Sequence, residues 1–474
     1  MRVMIYGGGL AGSEAALTLA KLGVKVDLYE EKTLTAKPVY KTDKFAELVC
    51  SNSLKAKRPY VASGMLKGEA LALGSTLLQY AKESAVEAGG ALAVDRDCFA
   101  DKVTDAIQAE PLITVHPASI KALCDDECYQ LVATGPLTDM DFLTNLQTYL
   151  SSADNKVKLA YFFDAQAPLI EKDSIDFEHA FYMSRYERGE AAYLNCPMNK
   201  AEYTAFYEAL ISAERAEVHD FERKLLFQGC MPVEQIAMTG YKSLLFGPLK
   251  PVGLVDPVTG KRPYACVQLR QDNMAKTLYN IVGFQTQLKW PEQKRVFGLI
   301  PALKEASLAR YGVMHRNSYL HSPAFLTDSL ASKYAKSVYF AGQITGMEGY
   351  VPAIASGLWA ALNIYVALQT NNSKNLELPQ VCMLGSLIRY ICTEQANFQP
   401  MTANLGILPE LAENYRDKRL KGKAYAKRSI QALTEFFQTE LWPLLSEHTE
   451  FIKCQTQALQ AWQRALDTDA EEIA

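Results

Sequence analysis

Paired cysteines are the first thing this chain lacks. Its ten cysteines, at positions 50, 98, 124, 128, 196, 230, 266, 382, 392 and 454, are scattered over all 474 residues without a C-x-x-C pair. That pattern argues against a disulfide framework and for a reduced, cytoplasmic chain. Cys124-x-x-x-Cys128 has no second pair to complete a tetrahedral site, so no metal is expected. No apolar run is read as approaching eighteen residues, and no membrane span is expected. No basic-then-apolar stretch precedes the first strand-like residues, so no secretory leader is expected either. Internal repeats are absent. Large net charge is missing too: the formal value is −4, which by itself speaks against a polyanionic partner. With 49% hydrophobic and 22% charged residues, what remains is the composition of a soluble globular enzyme of two or three domains.

The stretch around which the rest is organised is residues 1–16, MRVMIYGGGLAGSEAA. Residues 2–6 suit a buried strand, and residues 12–22 continue as a small-residue helix with Ala15, Ala16, Leu19 and Ala20 facing inward. Between them Gly7, Gly9 and Gly12 give G-x-G-x-x-G. In that order the first glycine allows a tight turn, the second lets backbone approach a pyrophosphate, and the third lets helix pack on strand. The helix N-terminus then offers unpaired N–H groups to phosphate, so Gly8, Leu10 and Ala11 join the candidate cofactor-binding residues. A second strand, Val24–Tyr29, ends in Glu30, an acid positioned for ribose hydroxyls. This unit predicts a dinucleotide site and leaves FAD and NAD both open.

Further along, residues 42–54 read as a helix-like segment containing Cys50, and residues 65–86 as one amphipathic helix. Residues 89–97 read as a turn into a short strand, with Asp97 capping the helix that follows. Residues 112–115 and 129–135 read as strands. From 155 to 325 the pattern is irregular and aromatic-rich, which predicts an inserted domain. Buried-strand composition returns at Ser337–Gln343 and leads through Gly346 and Gly349 into a helix over 353–367. A second strand–glycine–helix unit suits the far end of an elongated flavin dinucleotide, which makes FAD the expected cofactor and Gly342, Gln343, Gly346 and Gly349 further candidates. The expected architecture is α/β: a Rossmann-type FAD domain (1–154 and 326–378) interrupted by an α+β insertion (155–325), with a mainly helical C-terminal portion (379–474).

Cys50 lies in VCSNS and Cys230 in QGCMPVE, where Gly229 and Pro232 predict an exposed turn. His315, in MHRN, reads more readily as structural than catalytic. Segments 262–273, 283–289 and 293–297 mix basic, amide and aromatic residues. That mixture suits a flat heterocycle such as a pterin, an RNA surface, or simply a polar sheet face. Residues 416–428 (RDKRLKGKAYAKR) hold seven basic residues and one acid, either a solvated helix face or a phosphate-binding one.

Motifs GGGLAGSEAA, TDKFAELVCSNSL, GGALAVDRD, ATGPLT, YLNCPM, GCMPVE, FGPLKPVGLVDP, RPYACVQLRQDN, LYNIVGFQTQLKW, YGVMHRN, FAGQITGMEGY and FQPMTANLGILP run in order from residue 7 to about 409. In these the chain resembles the TrmFO family, the folate- and FAD-dependent tRNA (uracil-C5)-methyltransferases. It departs from that pattern before Thr42, where expected histidines are missing, and after about residue 430, where it is longer. The related wobble-uridine-modifying flavoproteins share the first glycine motif but are longer. The resemblance implies C5-methylation of a T-loop uridine (position 54) of tRNA, with 5,10-methylenetetrahydrofolate as one-carbon donor, FAD, and NAD(P)H as electron source. It implies Cys230 as the thiolate that adds to uracil C6 and Cys50 as a second catalytic cysteine that aids C5 deprotonation. The same chemistry on a 23S rRNA uridine, and a non-catalytic flavin-bearing RNA-binding protein, are the alternatives. The expected partners are tRNA or rRNA and folate, with no membrane. The oligomeric state is left open, a monomer included.

Overall fold

A computed structural model of the chain describes residues 2–35, 39–124, 128–151, 157–187, 190–216, 231–395 and 398–468. Five short strands form one wholly parallel sheet, in the order Val338–Phe340, Tyr129–Val132, Arg2–Tyr6, Lys25–Glu30, Ile113–Pro117. Val3 and Ile5 of the strand at its middle are wholly buried. The chain leaves that strand to one side, at Lys25, and returns on the other, at Tyr129. Connections therefore diverge beyond Tyr6, and a crevice opens at the carboxyl ends of the strands.

The first helix, Leu10–Lys21, packs against a long helix, Tyr350–Thr370, which is buried along almost its whole length. This long helix corrects the expectation that no apolar run reaches membrane-spanning length. By length and composition it is sufficient, and its apolar stretch is entirely covered by the rest of the chain. From Tyr350 to Leu368 only Gly, Pro, Ser and Asn interrupt its apolar side chains, because a helix enclosed on all sides has no solvent face to mark with charge.

A second, antiparallel sheet has the order Phe181–Tyr182, Tyr193–Met198, Ala265–Gln271, Leu278–Ile281, Leu169–Glu171, Leu308–Arg310. It owns a separate apolar core in which Val267 and Leu269 meet Phe206, Phe284 and Phe297. The strands Leu159–Ala165 and Met314–Leu320 pair with each other and carry the chain into and out of this part. Downstream, the helices Met383–Cys392, Lys418–Phe436 and Thr449–Asp467 close over the first core. Trp462 Nε1 donates to the Pro59 carbonyl, and Gln455 Nε2 to that of Leu73.

Three local expectations are corrected. Residues 42–52 are not helical: Ala46 takes φ +52°, its N–H goes to the Gly8 carbonyl, and Phe45 N–H goes to Thr104 Oγ1. Long-range partners override the helical pattern there. Residues 65–86 form two helices, Ala62–Leu73 and Thr76–Glu83, parted where Gly74 (φ +105°) turns and Ser75 caps the second. The cap of Arg96–Ala109 is Asp95, whose carboxylate accepts from the Asp97 and Cys98 N–H groups.

Candidate functional site

The glycine turn after the first strand opens the crevice. Gly7 has φ +103°, and a Cβ there would stand 2.6 Å from the Ala133 carbonyl oxygen. A Cβ on Gly12 would stand 1.8 Å from the Gly7 oxygen, so this glycine packs helix on turn and does not line the crevice. Gly9 is different: a Cβ there meets nothing within 4 Å, because the position faces open space. Gly9 is also the N-cap of the first helix, and no side chain caps its N–H groups. Gly349 opens the long helix in the same uncapped way. Gly7, Gly8, Gly9, Leu10 and Ala11 line one side of a single open cleft of about 1230 Å³, and Gly342, Gln343, Gly349 and Tyr350 line another. Gly346 does not line it; the position, at φ +84°, turns against the Phe398 ring.

The two helices meet in this arrangement because Gly357 of the long helix rests on the Ala11 backbone. Ser356 Oγ accepts from Gly342 N–H (2.8 Å), which ties the second glycine turn to that helix. Glu30 ends the second strand at the cleft wall. Its Oε2 accepts from Gly8 N–H (2.6 Å) and its Oε1 from Lys32 N–H (2.9 Å), so the acid first fixes the glycine turn and keeps lone pairs for hydroxyls. An elongated dinucleotide fits this donor set: two uncapped helix ends for anionic oxygens, an acid for ribose, and a glycine whose missing Cβ leaves the approach open.

Several lining residues escaped the sequence reading. Lys32 Nζ pairs with Glu47 (2.5 Å), donates to the Lys44 carbonyl and lies 4.7 Å from the Tyr40 ring centroid. Burial, then the Glu30 charge, raises the Tyr40 hydroxyl pKa. No local spacing links Lys32, Tyr40 and Glu47; only the fold does.

Cys50 sits beside the second helix end. Tyr350, first residue of the long helix, accepts through its hydroxyl from Cys50 N–H (2.7 Å) and Ser51 N–H (3.1 Å). Burial raises this hydroxyl's pKa, the Cys50 charge adding to it, so it stays protonated. On the far side Arg96 donates to the Leu48 carbonyl and Arg270 Nε to Asn52 Oδ1. The half-buried Cys50 is therefore held at residues 48, 50 and 52, and none of the described cysteines is disulfide-bonded. Cys230 lies outside the described residues. The chain that follows it is anchored: Val233 N–H donates to the Gln285 carbonyl, and buried Glu234 accepts from Thr286 Oγ1 and Gln287 N–H. His315 stands in the strand Met314–Leu320 opposite Asp164.

The three mixed segments resolve individually. In Ala265–Gln271, Val267 and Leu269 enter the second core while Gln268 and Arg270 take the opposite, polar face. Register aligns Tyr193, Arg270, Asn280, Leu169 and Arg310 across that face, which looks toward Asn52. Phe284 and Gln293 are internal: the first is in the second core, and the second holds the Gly312 backbone at both N–H and C=O. Among the described residues no group of three or more His, Cys, Asp or Glu could hold a metal ion.

The family described as glucose inhibited division protein A (GIDA) matches residues 2–372. The methylenetetrahydrofolate–tRNA-(uracil-5-)-methyltransferase TrmFO of Brevibacillus brevis is 51% identical over 92% of this chain and 98% of its own length. Its counterpart in Enterococcus faecalis is 49% identical over 92% and 99%. Among solved structures, GidA of Aquifex aeolicus in its form II crystal superposes with TM-score 0.65 at 14% identity, over 94% of this chain and 75% of that one.

Proposed function

Since the chain belongs to the TrmFO family, within the wider GidA family, we propose that it methylates C5 of uridine in tRNA with methylenetetrahydrofolate as one-carbon donor and FAD as cofactor. The finer reading is a T-loop uridine as target and NAD(P)H as the source of electrons. The observation that carries the proposal is the bond from Cys50 and Ser51 to Tyr350, which ties a thiol-bearing segment to the helix end that opens the dinucleotide cleft.

Uracil C5 is weakly nucleophilic until a thiolate adds at C6. Cys230 is assigned this addition, which makes C5 an enolate carbon able to attack the one-carbon unit donated by methylenetetrahydrofolate, whose bond from that carbon to nitrogen breaks to release tetrahydrofolate. Cys50 is assigned to removal of the C5 proton, after which the C6–S bond breaks. Bound at the cleft and reduced by NAD(P)H, the flavin would supply the two electrons that turn the C5 methylene into methyl. The glycine turns Gly7–Gly12 and Gly342–Gly349, with Glu30, are the residues that would hold it. The Tyr350 hydroxyl and the Arg96 and Arg270 contacts fix the Cys50 backbone, so the thiol meets the base without reorganisation.

The test is incubation of the purified protein with unmodified tRNA, methylenetetrahydrofolate and NAD(P)H, followed by nucleoside analysis. Formation of 5-methyluridine at the T-loop supports the reading. Methylation of 23S rRNA but not of tRNA would replace it with the rRNA alternative.

A further inference from the structure

The short strand that follows the Cys50 segment, Ser53–Ala56, carries a bulge. Ser53 pairs with Ala93 and Ala56 with Ala91, so three steps along one strand match two along its partner. The bulge takes in Lys55, whose φ of +65° lies in the left-handed region. Glycine is the usual occupant of such a position, because a Cβ there crowds the backbone. Lysine at this point does little for the fold. Its side chain is exposed, and the segment is already anchored by buried Leu54 and by Asn52, whose Nδ2 donates to the Val94 and Gln271 carbonyls.

What a bulge can do is re-aim a side chain. Lys55 Nζ donates to Thr402 Oγ1 (3.0 Å), 347 residues away in the chain. That hydroxyl lies 3.6 Å from where a Cβ on Gly349 would stand. The next residue, Tyr350, holds the Cys50 and Ser51 N–H groups. The ammonium and the thiol segment therefore flank one cleft-lining turn. Thr402 takes only one of three ammonium donors, and among the described residues no carboxylate pairs with Lys55. Its charge reaches the buried Lys67 amine behind Leu54, whose pKa is lowered first by burial and then by Lys55.

A strained backbone that holds an exposed, unneutralised cation beside a thiol segment points to a ligand with anionic oxygen. A compact ammonium on a flexible stem suits phosphate, whereas a carboxylate is better matched by the planar fork of arginine. A uridine whose base reaches Cys50 carries its flanking phosphates outside, where exposed side chains meet them. The basic helix Lys418–Phe436 also rests on this stretch, its Gly422 against the Tyr60 carbonyl, which suits a polymer of phosphates over a single small anion. We propose that Lys55 holds a backbone phosphate next to the target uridine and so positions that base against the Cys50 segment. This rests on the RNA reading above and adds to it a contact made by the thiol segment itself.

The experiment compares FAD-loaded wild type with Lys55→Gly, Lys55→Asn and Lys55→Arg by anisotropy titration of labelled tRNA over a salt series. Thermal midpoint, flavin reduction by NAD(P)H and tetrahydrofolate titration are measured alongside. Glycine takes φ +65° without strain and asparagine takes it readily, so both variants keep or raise the midpoint. Their tRNA affinity falls about five- to tenfold, and the slope of affinity against salt loses about one unit. Arginine restores both. Flavin reduction and tetrahydrofolate affinity stay at wild-type values throughout. Unchanged affinity and slope in the Gly and Asn variants overturn the assignment. So does slowed flavin reduction with intact tRNA binding, which would give the cation to the flavin, and so does a loss confined to tetrahydrofolate. Wild-type protein that binds no tRNA at all overturns the RNA reading itself.

Discussion

A Cβ on Gly357 would stand 2.1 Å from the carbonyl oxygen of Ala11, so the long helix and the first helix touch backbone to backbone. That contact brings two uncapped helix ends to one cleft. Gly357→Val must push the helices apart, and overpacking of this kind costs about 1–3 kcal/mol. The expected result is a lower thermal midpoint together with weakened flavin binding, read by melting and by visible absorbance.

Gly9→Val separates binding from folding. A side chain at Gly9 meets no protein atom within 4 Å, so the variant folds with a near-normal midpoint. The branched side chain then occupies the approach to the helix end, and the purified protein is colourless. Normal flavin content in folded Gly9→Val would remove the glycine turn from the site. Gly12→Val, by contrast, collides with the Gly7 oxygen and is expected to lose stability and flavin together.

These glycines were legible because their constraints are local: a strand, a turn and a helix within sixteen residues. The first strand and the first helix followed from the same run, and the acid Glu30 from the strand that comes next. The segment 42–52 was not legible, since its partners Gly8, Thr104 and Tyr350 lie far off in sequence. Gly357 and Ser356 escaped for the same reason, because a glycine and a serine inside an apolar helix carry no signal until the opposing helix is known. The polar segment 262–273 was ambiguous because alternation alone marks a two-faced strand, and which partner the polar face meets depends on the fold.

Lys67 gives a pH-dependent prediction. It is almost fully buried, Nζ donating to the Leu54 carbonyl, and desolvation, then Lys55, lowers its pKa to about 7. Between about 7 and the ordinary lysine value of 10.5 the unfolded chain binds the extra proton, so this group makes stability rise with pH in that window. Below about 7 the cost of the buried charge is present in full. Lys67→Met is expected to be the more stable protein at pH 6. The gap between variant and wild type should narrow as pH rises toward 10. Denaturant unfolding at both pH values measures it, and a constant gap would contradict the assignment.

The basic run 416–428 forms the start of the helix Lys418–Phe436, capped by Asp417. It is more divided than its sequence implied. Tyr425 is only 3% exposed, with Arg428 over its ring and donating to the Pro409 and Glu410 carbonyls. Lys418, Arg419 and Lys421 are exposed, and these are the side chains we propose for contact with RNA phosphate. Reversing these three charges should weaken tRNA binding and lower the slope of affinity against salt by up to about three units, roughly one per phosphate contact. An unchanged slope makes the run a solvated face.

The last prediction separates the two cysteines. Once C5 has taken up the one-carbon unit, a thiolate at C6 cannot leave when C5 also carries fluorine, because no base can remove fluorine as a cation in place of the proton. tRNA containing 5-fluorouridine at the target is therefore expected to trap a covalent complex through Cys230, stable to denaturing electrophoresis. Cys230→Ala should lose turnover and adduct together. Cys50→Ala should lose turnover and still form the adduct, since proton removal follows addition. Serine is a poor replacement at either position, because its hydroxyl stays protonated near neutral pH while a thiol is partly ionised. Tyr350→Phe supplies the control: it deletes the acceptor of the Cys50 and Ser51 N–H groups without touching a thiol, so kcat falls and the adduct with Cys230 persists. Adduct mapped to Cys50 would exchange the two roles, and methylation surviving in both alanine variants would refute thiolate catalysis by this pair.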